Sequence, residues 1–259
     1  MNPYFRALLF AFCFIQLLLA VAFLFQHPFA VQLWPLPDTT PMSFIFLASI
    51  FAAAAAATLW GLVTKEYAAL TGVALDYVAI FFPIALFGFQ LAASTGSGAL
   101  MLFTVMCTGA VIVGVPIMLW SARQPVRDTR PMPPLVRWSF GVFVIALIIG
   151  GIVLIFKTPN MLPWRVTPEI SVLIGWFFLG AATYFAYGII RPGWWNTAGQ
   201  LAGFLAYDLI LVVPFIQRLP TIAPELRLGL IIYLTIVIYS GLLAIYYLFI
   251  HPETRIIRR

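Results

Sequence analysis

Charged residues are scarce in this sequence. Lys, Arg, Asp and Glu together make up only 8% of its 259 residues, whereas hydrophobic residues make up 63%. A typical soluble domain is about 25% charged and about 45–50% apolar, so a water-soluble fold could not bury this much apolar surface. The composition therefore excludes a soluble globular protein. It predicts an integral membrane protein whose first partners are membrane lipids, with no soluble domain.

Histidine and cysteine are also rare. His27 and His251 are the only histidines, and they fall on opposite sides of the predicted membrane spans. A single chain therefore cannot build a metal or haem site that needs two histidines. Cys13 and Cys107 lie within apolar runs, where a thiol behaves as a small hydrophobic group. We predict no bound metal, no cofactor and no disulfide framework.

The common catalytic motifs are missing as well. The sequence contains no phosphate-binding loop of the Gly-x-x-x-x-Gly-Lys-Ser/Thr type, no His-Glu-x-x-His, no Cys-x-x-Cys and no Gly-x-Ser-x-Gly. ATP hydrolysis, zinc proteolysis, dithiol redox chemistry and hydrolase-type acylation therefore lack their usual residues. An enzyme acting on a substrate within the lipid is the weakest of the functional hypotheses.

Apolar stretches of about 20 residues, the length that crosses a bilayer, recur along the chain. Breaks at charged, proline-rich and Gly/Ser-rich segments give eight predicted helices, at 6–26, 41–63, 69–92, 98–121, 136–156, 168–190, 195–217 and 227–250. The predicted fold class is therefore all-α, a polytopic transmembrane bundle. The first stretch and the small residues Ala20-Val21-Ala22 also fit a signal peptide. Apolar residues continue through Phe25, which favours an uncleaved span.

The formal net charge of +6 is explained by loop residues that set topology, so we predict no nucleic-acid partner. One side of the predicted spans holds ten basic residues: Arg6, Lys65, Arg123, Arg127, Arg130, Arg137, Arg191, Arg255, Arg258 and Arg259. The other side holds four: Lys157, Arg165, Arg218 and Arg227. The positive-inside rule then predicts cytoplasmic termini. We expect a multi-pass protein of the cell membrane, and the absence of an Asn-x-Ser/Thr acceptor favours a bacterial plasma membrane.

A basic linker, 123–135, separates two halves, 1–122 and 136–259, and the halves show a faint internal repeat. Thr40-Pro41 and Thr167-Pro168 open helices at positions 127 residues apart, and we expect each threonine to cap its helix. Pairs of small residues keep the same offset, among them Gly61 with Gly188 and Gly72 with Gly199. The pattern predicts two parallel four-helix repeats, although small residues are common in membrane helices and chance identity is the alternative.

Two acidic residues, Asp76 and Asp208, lie inside predicted spans. A charge at the bilayer centre costs about 2.5–3.5 kcal/mol, so such residues are the first candidates for function. Each acid adjoins a tyrosine and precedes a proline in the same helix: Asp76 with Tyr77 and Pro83, Asp208 with Tyr207 and Pro214. We interpret them as proton, cation or ligand sites between the halves, with the prolines as helix hinges. The alternative is that each carboxyl forms a structural hydrogen bond to a neighbouring helix.

Two functional hypotheses follow. The sparse polar groups favour a membrane-embedded subunit or scaffold that acts by helix packing with protein, lipid or pigment partners, including other membrane subunits. The alternative is a small proton- or cation-linked transporter that uses Asp76 and Asp208. A stable stoichiometric partner is expected in the first case and loss of flux on substitution of the acids in the second.

Overall fold

A computed structural model describes residues 2–256 and shows an all-α bundle. Eight helices are long and apolar enough to cross a membrane. The nine α-helices of the described range are α1 (Pro3–Leu24), α2 (Pro28–Leu33), α3 (Pro41–Val63), α4 (Leu70–Thr95), α5 (Gly98–Ser121), α6 (Pro134–Ile155), α7 (Pro168–Ile190), α8 (Trp194–Arg218) and α9 (Pro224–Ile245). All eight predicted spans are confirmed. Arg258 and Arg259, counted above among the cytoplasmic charges, lie outside the described residues.

Proline and glycine set several of the helix ends. Both α3 and α7 begin at a proline in the first helical turn, where the missing amide hydrogen has no helical partner to lose. Helix α4 ends at Gly96, whose φ of 68° is the left-handed conformation that favours glycine. The turn at Gly96 and Ser97 reverses the chain directly into α5, so α4 and α5 form a tight antiparallel pair.

The predicted threonine caps are confirmed at one helix and wrong at the other. The Thr167 side chain accepts a hydrogen bond of 3.3 Å from the amide of Ile170 at the start of α7. Thr40 makes no such bond at the start of α3. The Thr40 hydroxyl is instead hydrogen-bonded to the Ser43 hydroxyl at 3.1 Å. This side-chain bond takes the place of the bond to a backbone amide that a cap would form.

Three short elements were not predicted from the sequence. They are α2 itself, a single 3₁₀ turn at Tyr67–Ala69 and a π-helical turn at Tyr246–Ile250 that extends α9. None is long enough to show a helical period in the sequence. The 3₁₀ turn places Glu66 just before the membrane-spanning part of α4.

Helices α3 and α7 are the most buried spans, and α1 and α5 are the least buried. Within the halves, α1 packs on α3, α4 on α5, α6 on α7 and α8 on α9. The two halves meet through α3 against α8 and α4 against α7. Helices α6 and α7 come very close, because a Cβ on Gly151 would lie 2.9 Å from the carbonyl oxygen of Gly175.

We call the end of the bundle at which α1 begins and α9 ends the terminal face. It comprises the start of α1, the α3–α4, α5–α6 and α7–α8 junctions and the end of α9. The guanidinium of Arg6 donates to the Leu62 carbonyl at 3.4 Å, joining α1 to the end of α3. Long loops cover the opposite face, where the Thr40 hydroxyl donates to the Arg165 carbonyl at 3.4 Å.

Candidate functional site

Asp76 lies at the contact between the halves. It is six residues into α4, about 9 Å along the helix from Leu70, and it faces α7. Its Oδ1 lies 2.9 Å from the position that a Cβ on Gly180 would occupy. The ring of Tyr184, one turn further along α7, packs against Gly72 of the same α4 helix. The missing side chain of Gly180 therefore makes the space in which this acid lies between two helices.

No hydrogen bond within residues 2–256 explains the burial of the Asp76 side chain. The residue is half-buried, and its Oδ1 is fully buried without a hydrogen-bond partner among the described residues. The adjacent Tyr77 hydroxyl is occupied elsewhere, because it accepts a hydrogen bond from the Gln16 amide of α1. Tyr77 therefore joins α1 to α4 and does not pair with the neighbouring carboxyl.

Asp208 occupies a different contact. It is 4% exposed and lies on the side of α8 that faces α9. A Cβ on Gly241 would be 3.6 Å from its Oδ2. Neither carboxyl oxygen meets full hydrogen-bond geometry within residues 2–256. The Ser240 hydroxyl of α9, which donates to the Ile236 carbonyl at 2.8 Å, is the polar side chain that interacts with this carboxyl.

Tyr207 belongs to an aromatic cluster rather than to the Asp208 carboxyl. Its hydroxyl is hydrogen-bonded to that of Tyr233 on α9, and its ring meets Phe46 of α3 edge to face. Tyr233 in turn stacks on Trp164 with an interplanar angle of 14°. Tyr207 thus joins the two halves by ring packing, as Tyr77 joins α1 to α4 by a hydrogen bond.

The two acids are on different helix contacts. Asp76 faces α7 across the boundary between the halves, and Asp208 faces α9 within the second half. Pro83 and Pro214 lie inside α4 and α8, which continue as helices on both sides of each proline. Each proline leaves the carbonyl four residues earlier without its usual helical donor. A third internal proline, Pro116 in α5, was not among the predicted hinges.

The sequence did not predict a polar cluster at the terminal face. The carboxylate of Glu66 accepts hydrogen bonds from the backbone amides of Arg127 at 3.1 Å and Asp128 at 2.8 Å. Arg130 pairs with Asp128 at 2.5 Å and donates to the Glu253 carbonyl at 2.8 Å. The linker between the halves is therefore held against the bundle.

A cavity of about 110 Å³ lies beneath this linker. Its polar lining includes Glu66, Asp128 and Arg130, and its walls include three indole rings, from Trp60, Trp194 and Trp195. Trp194 is 1% exposed, and its Nε1 has no hydrogen-bond partner in the described part of the chain. In the sequence, this cluster is marked by the run of basic residues in the linker. Such a run is also expected of any loop on the cytoplasmic side, so it does not by itself predict a site.

Comparison with protein-family models, curated proteins and solved structures found no match for this chain. The eight long, apolar helices of the described residues are those of a multi-pass helical membrane protein.

Proposed function

We propose that this protein is a proton- or cation-linked transporter in which Asp76 takes up and releases the ion. The observation that carries the proposal is the position of Asp76 at the α4–α7 contact between the halves, where its Oδ1 is buried without a partner among the described residues. The surroundings of a carboxyl at the boundary between two halves change when the halves move relative to each other. Binding or release of an ion at that carboxyl is therefore coupled to the movement of the halves.

A purely structural role would require a hydrogen-bond partner. A buried polar group without one costs about 1–3 kcal/mol, and structural polar groups in membrane bundles are normally paired across helix contacts. Asp76 Oδ1 lacks such a partner among the described residues. An unpaired acid fits a site that exchanges an ion better than it fits a structural tie.

The helix contacts also support the proposed internal repeat. In this repeat, α1, α3, α4 and α5 correspond in order to α6, α7, α8 and α9. The α1–α3 contact then corresponds to α6–α7, the α4–α5 contact to α8–α9, and the α4–α7 contact to α8–α3, and the helices of every pair are in contact. At the residue level, Gly72 faces Tyr184 and Gly199 faces Ala57. Each residue of the second pair is 127 positions from its counterpart in the first. Two parallel halves around an axis along the membrane normal are a common transporter plan.

The repeat does not relate the two acids to each other. At the 127-residue offset Asp76 corresponds to Gly203 and Asp208 to Phe81. The second crossing therefore carries Gly203 against Ala53, where the first carries Asp76 against Gly180. Of these two equivalent crossings, the α4–α7 crossing is the one that contains an acid, and we assign the ion to it.

The test is solute-driven proton movement in proteoliposomes that contain a pH-sensitive dye. Panels of amines, carboxylates and lipophilic solutes are presented to wild type and to Asp76→Asn and Asp208→Asn. Asp38→Asn is the matched control, because Asp38 is exposed and its φ of 54° suits asparagine. We expect Asp76→Asn to abolish the flux and Asp38→Asn to retain it. Equal flux in wild type and Asp76→Asn would overturn the assignment.

A non-catalytic subunit is the second candidate. It is favoured by the small size of the cavity between Phe46 and Phe177, which measures about 10 Å³, room for about one water. Gentle extraction into nanodiscs followed by native mass measurement tests it. A protein or pigment companion at fixed stoichiometry, with no flux for any solute, would favour the subunit and reject the transporter.

A further inference from the structure

We propose that the cavity at the terminal face binds a small organic ammonium compound that also carries an oxygen acceptor, as amino alcohols and their esters do. The site lies beneath the linker, away from Asp76 and Asp208, and it does not depend on the transport proposal. Its walls come from both halves, since Trp60 belongs to α3 and Trp194 and Trp195 begin α8.

The carboxylate of Glu66 supplies the charge that calls for a cation. Glu66 is 4% exposed, and its two backbone amide donors are uncharged. Among the described residues, the ion pairs join Arg130 to Asp128 and Arg165 to Glu225, and none includes Glu66. Glu66 is thus a buried carboxylate without a counter-ion in residues 2–256, which is costly. One positive charge in the cavity removes that cost.

The indole walls indicate which kind of cation fits. Ammonium groups bind to the faces of tryptophan rings, and several rings together form a cage for quaternary ammonium. Arg130 already lies over the Trp194 ring, 5.8 Å from its centroid, which leaves Trp60 and Trp195 for the ligand. The Trp195 indole is folded back against Gly193, whose missing side chain makes room for it.

Trp194 indicates that the ligand also has an acceptor. Its Nε1 donor is buried without a partner in the described part of the chain, and Trp194 lines the cavity. An oxygen of the ligand would satisfy this donor. A sodium or potassium ion could use the oxygen atoms of Glu66 and Asp128, but it gains little from aromatic walls and cannot accept a hydrogen bond from Trp194, so the lining as a whole favours an organic ammonium compound.

The cavity limits the size of the ligand and leaves two sources for it. A volume of about 110 Å³ is below the range of about 300–1,000 Å³ that is usual for drug-sized ligands. It suits a choline or ethanolamine group, present either as a free solute or as the head group of a phospholipid. Both sources share the ammonium and the neighbouring oxygen.

Calorimetric titration of the whole protein in nanodiscs tests the proposal, with choline, ethanolamine, tetramethylammonium and sodium as the added cations. The titrations are run in phosphatidylglycerol nanodiscs and repeated in nanodiscs that contain phosphatidylethanolamine. The variants are Glu66→Gln and Trp194→Phe. Trp164→Phe is the matched control, because Trp164 is 2% exposed and its Nε1 already donates to Ser43 at 3.0 Å.

We expect choline or ethanolamine to bind wild type in phosphatidylglycerol and to bind Glu66→Gln at least about 10-fold more weakly, as loss of a charged partner implies. Trp194→Phe should weaken choline about 3–10-fold, the range for one hydrogen bond, and leave tetramethylammonium unchanged because it has no oxygen. Trp164→Phe should bind as wild type. This pattern separates loss of the indole donor from a general loss of folding.

The lipid comparison identifies the source. Unchanged titration in phosphatidylethanolamine nanodiscs would indicate a free solute. Loss of choline binding there, with one phosphatidylethanolamine retained per protein in wild type and none in Glu66→Gln, would indicate a head group. Absence of binding by choline and ethanolamine in phosphatidylglycerol, or equal binding of sodium, would overturn the proposal.

Discussion

Asp76 lies directly against Gly180: its Oδ1 is 2.9 Å from the point where a Cβ on residue 180 would stand. The same Cβ would also collide with the Ile80 side chain on α4. The two halves are therefore so close at Asp76 that no side chain larger than that of glycine fits at position 180. A change of one methyl group at this position is enough to test whether that closeness matters.

Gly180→Ala should destabilise the protein by about 1–3 kcal/mol, the usual range for overpacking a close contact. It should also reduce any flux that depends on Asp76, because the added methyl group displaces the carboxyl. Thermal unfolding in detergent and the proteoliposome assay measure the two effects. Gly141→Ala is the control, since a Cβ at Gly141 in α6 meets nothing within 4 Å. Equal unfolding temperatures for the two variants would contradict the close contact.

Asp208→Ala should change the free energy of unfolding by less than about 1 kcal/mol, although Asp208 is 4% exposed. The lost packing is offset by removing a buried carboxyl whose desolvation costs about 1–3 kcal/mol. Leu211→Ala on the same helix is the comparison, because Leu211 is fully buried and should cost about 2–5 kcal/mol. A similar loss in both variants would show that Asp208 stabilises the fold.

The hydrogen bond between Gln16 and Tyr77 should couple α1 to α4. Tyr77→Phe leaves the Gln16 amide, which is 3% exposed, without its partner, at an expected cost of about 1–3 kcal/mol. Gln16→Leu removes the amide, so the double variant should be more stable than the sum of the single effects predicts. A double-mutant cycle measures this coupling, which we expect to be about 0.5–3 kcal/mol. Additive effects would argue against the bond.

The positive-inside prediction places the terminal face in the cytoplasm. Cys13 and Cys107 are buried, so a membrane-impermeant maleimide should leave the wild type unlabelled. Thr158→Cys, in the exposed loop between α6 and α7, should react in intact cells, and Arg123→Cys, at the exposed start of the linker, should not. Inverted membrane vesicles should reverse the two results. Labelling of Arg123→Cys in intact cells would mean the opposite orientation.

The spans could be predicted because lipid imposes a length and a composition that the sequence displays directly. The predicted ranges 41–63, 98–121 and 168–190 coincide with α3, α5 and α7. The sequence predicts the last span at 227–250, whereas α9 begins at Pro224 and is followed by a π-helical turn that ends at Ile250. Its first residues include Glu225 and Arg227, whose charges conceal a helix start in any hydropathy pattern.

The sites were less predictable than the spans. Asp76 and Asp208 stand out in apolar sequence, but which helix each one faces depends on the packing of the halves. Glu66 carries no local signal, since its partners are backbone amides 61 and 62 residues away. Nor does the sequence tell that Tyr77 bonds to Gln16 rather than to the acid beside it.

The linker is tied to both halves within a few residues. Glu66 of the first half holds the amides of Arg127 and Asp128, and the Arg130 carbonyl accepts a 2.8 Å hydrogen bond from the amide of Trp194 in the second half. The halves are therefore tied at both ends of the bundle, because at the far end the Thr40 hydroxyl donates to the Arg165 carbonyl at 3.4 Å and Trp164 Nε1 donates to Ser43 at 3.0 Å. A movement of one half against the other would have to break hydrogen bonds at one of these two ends.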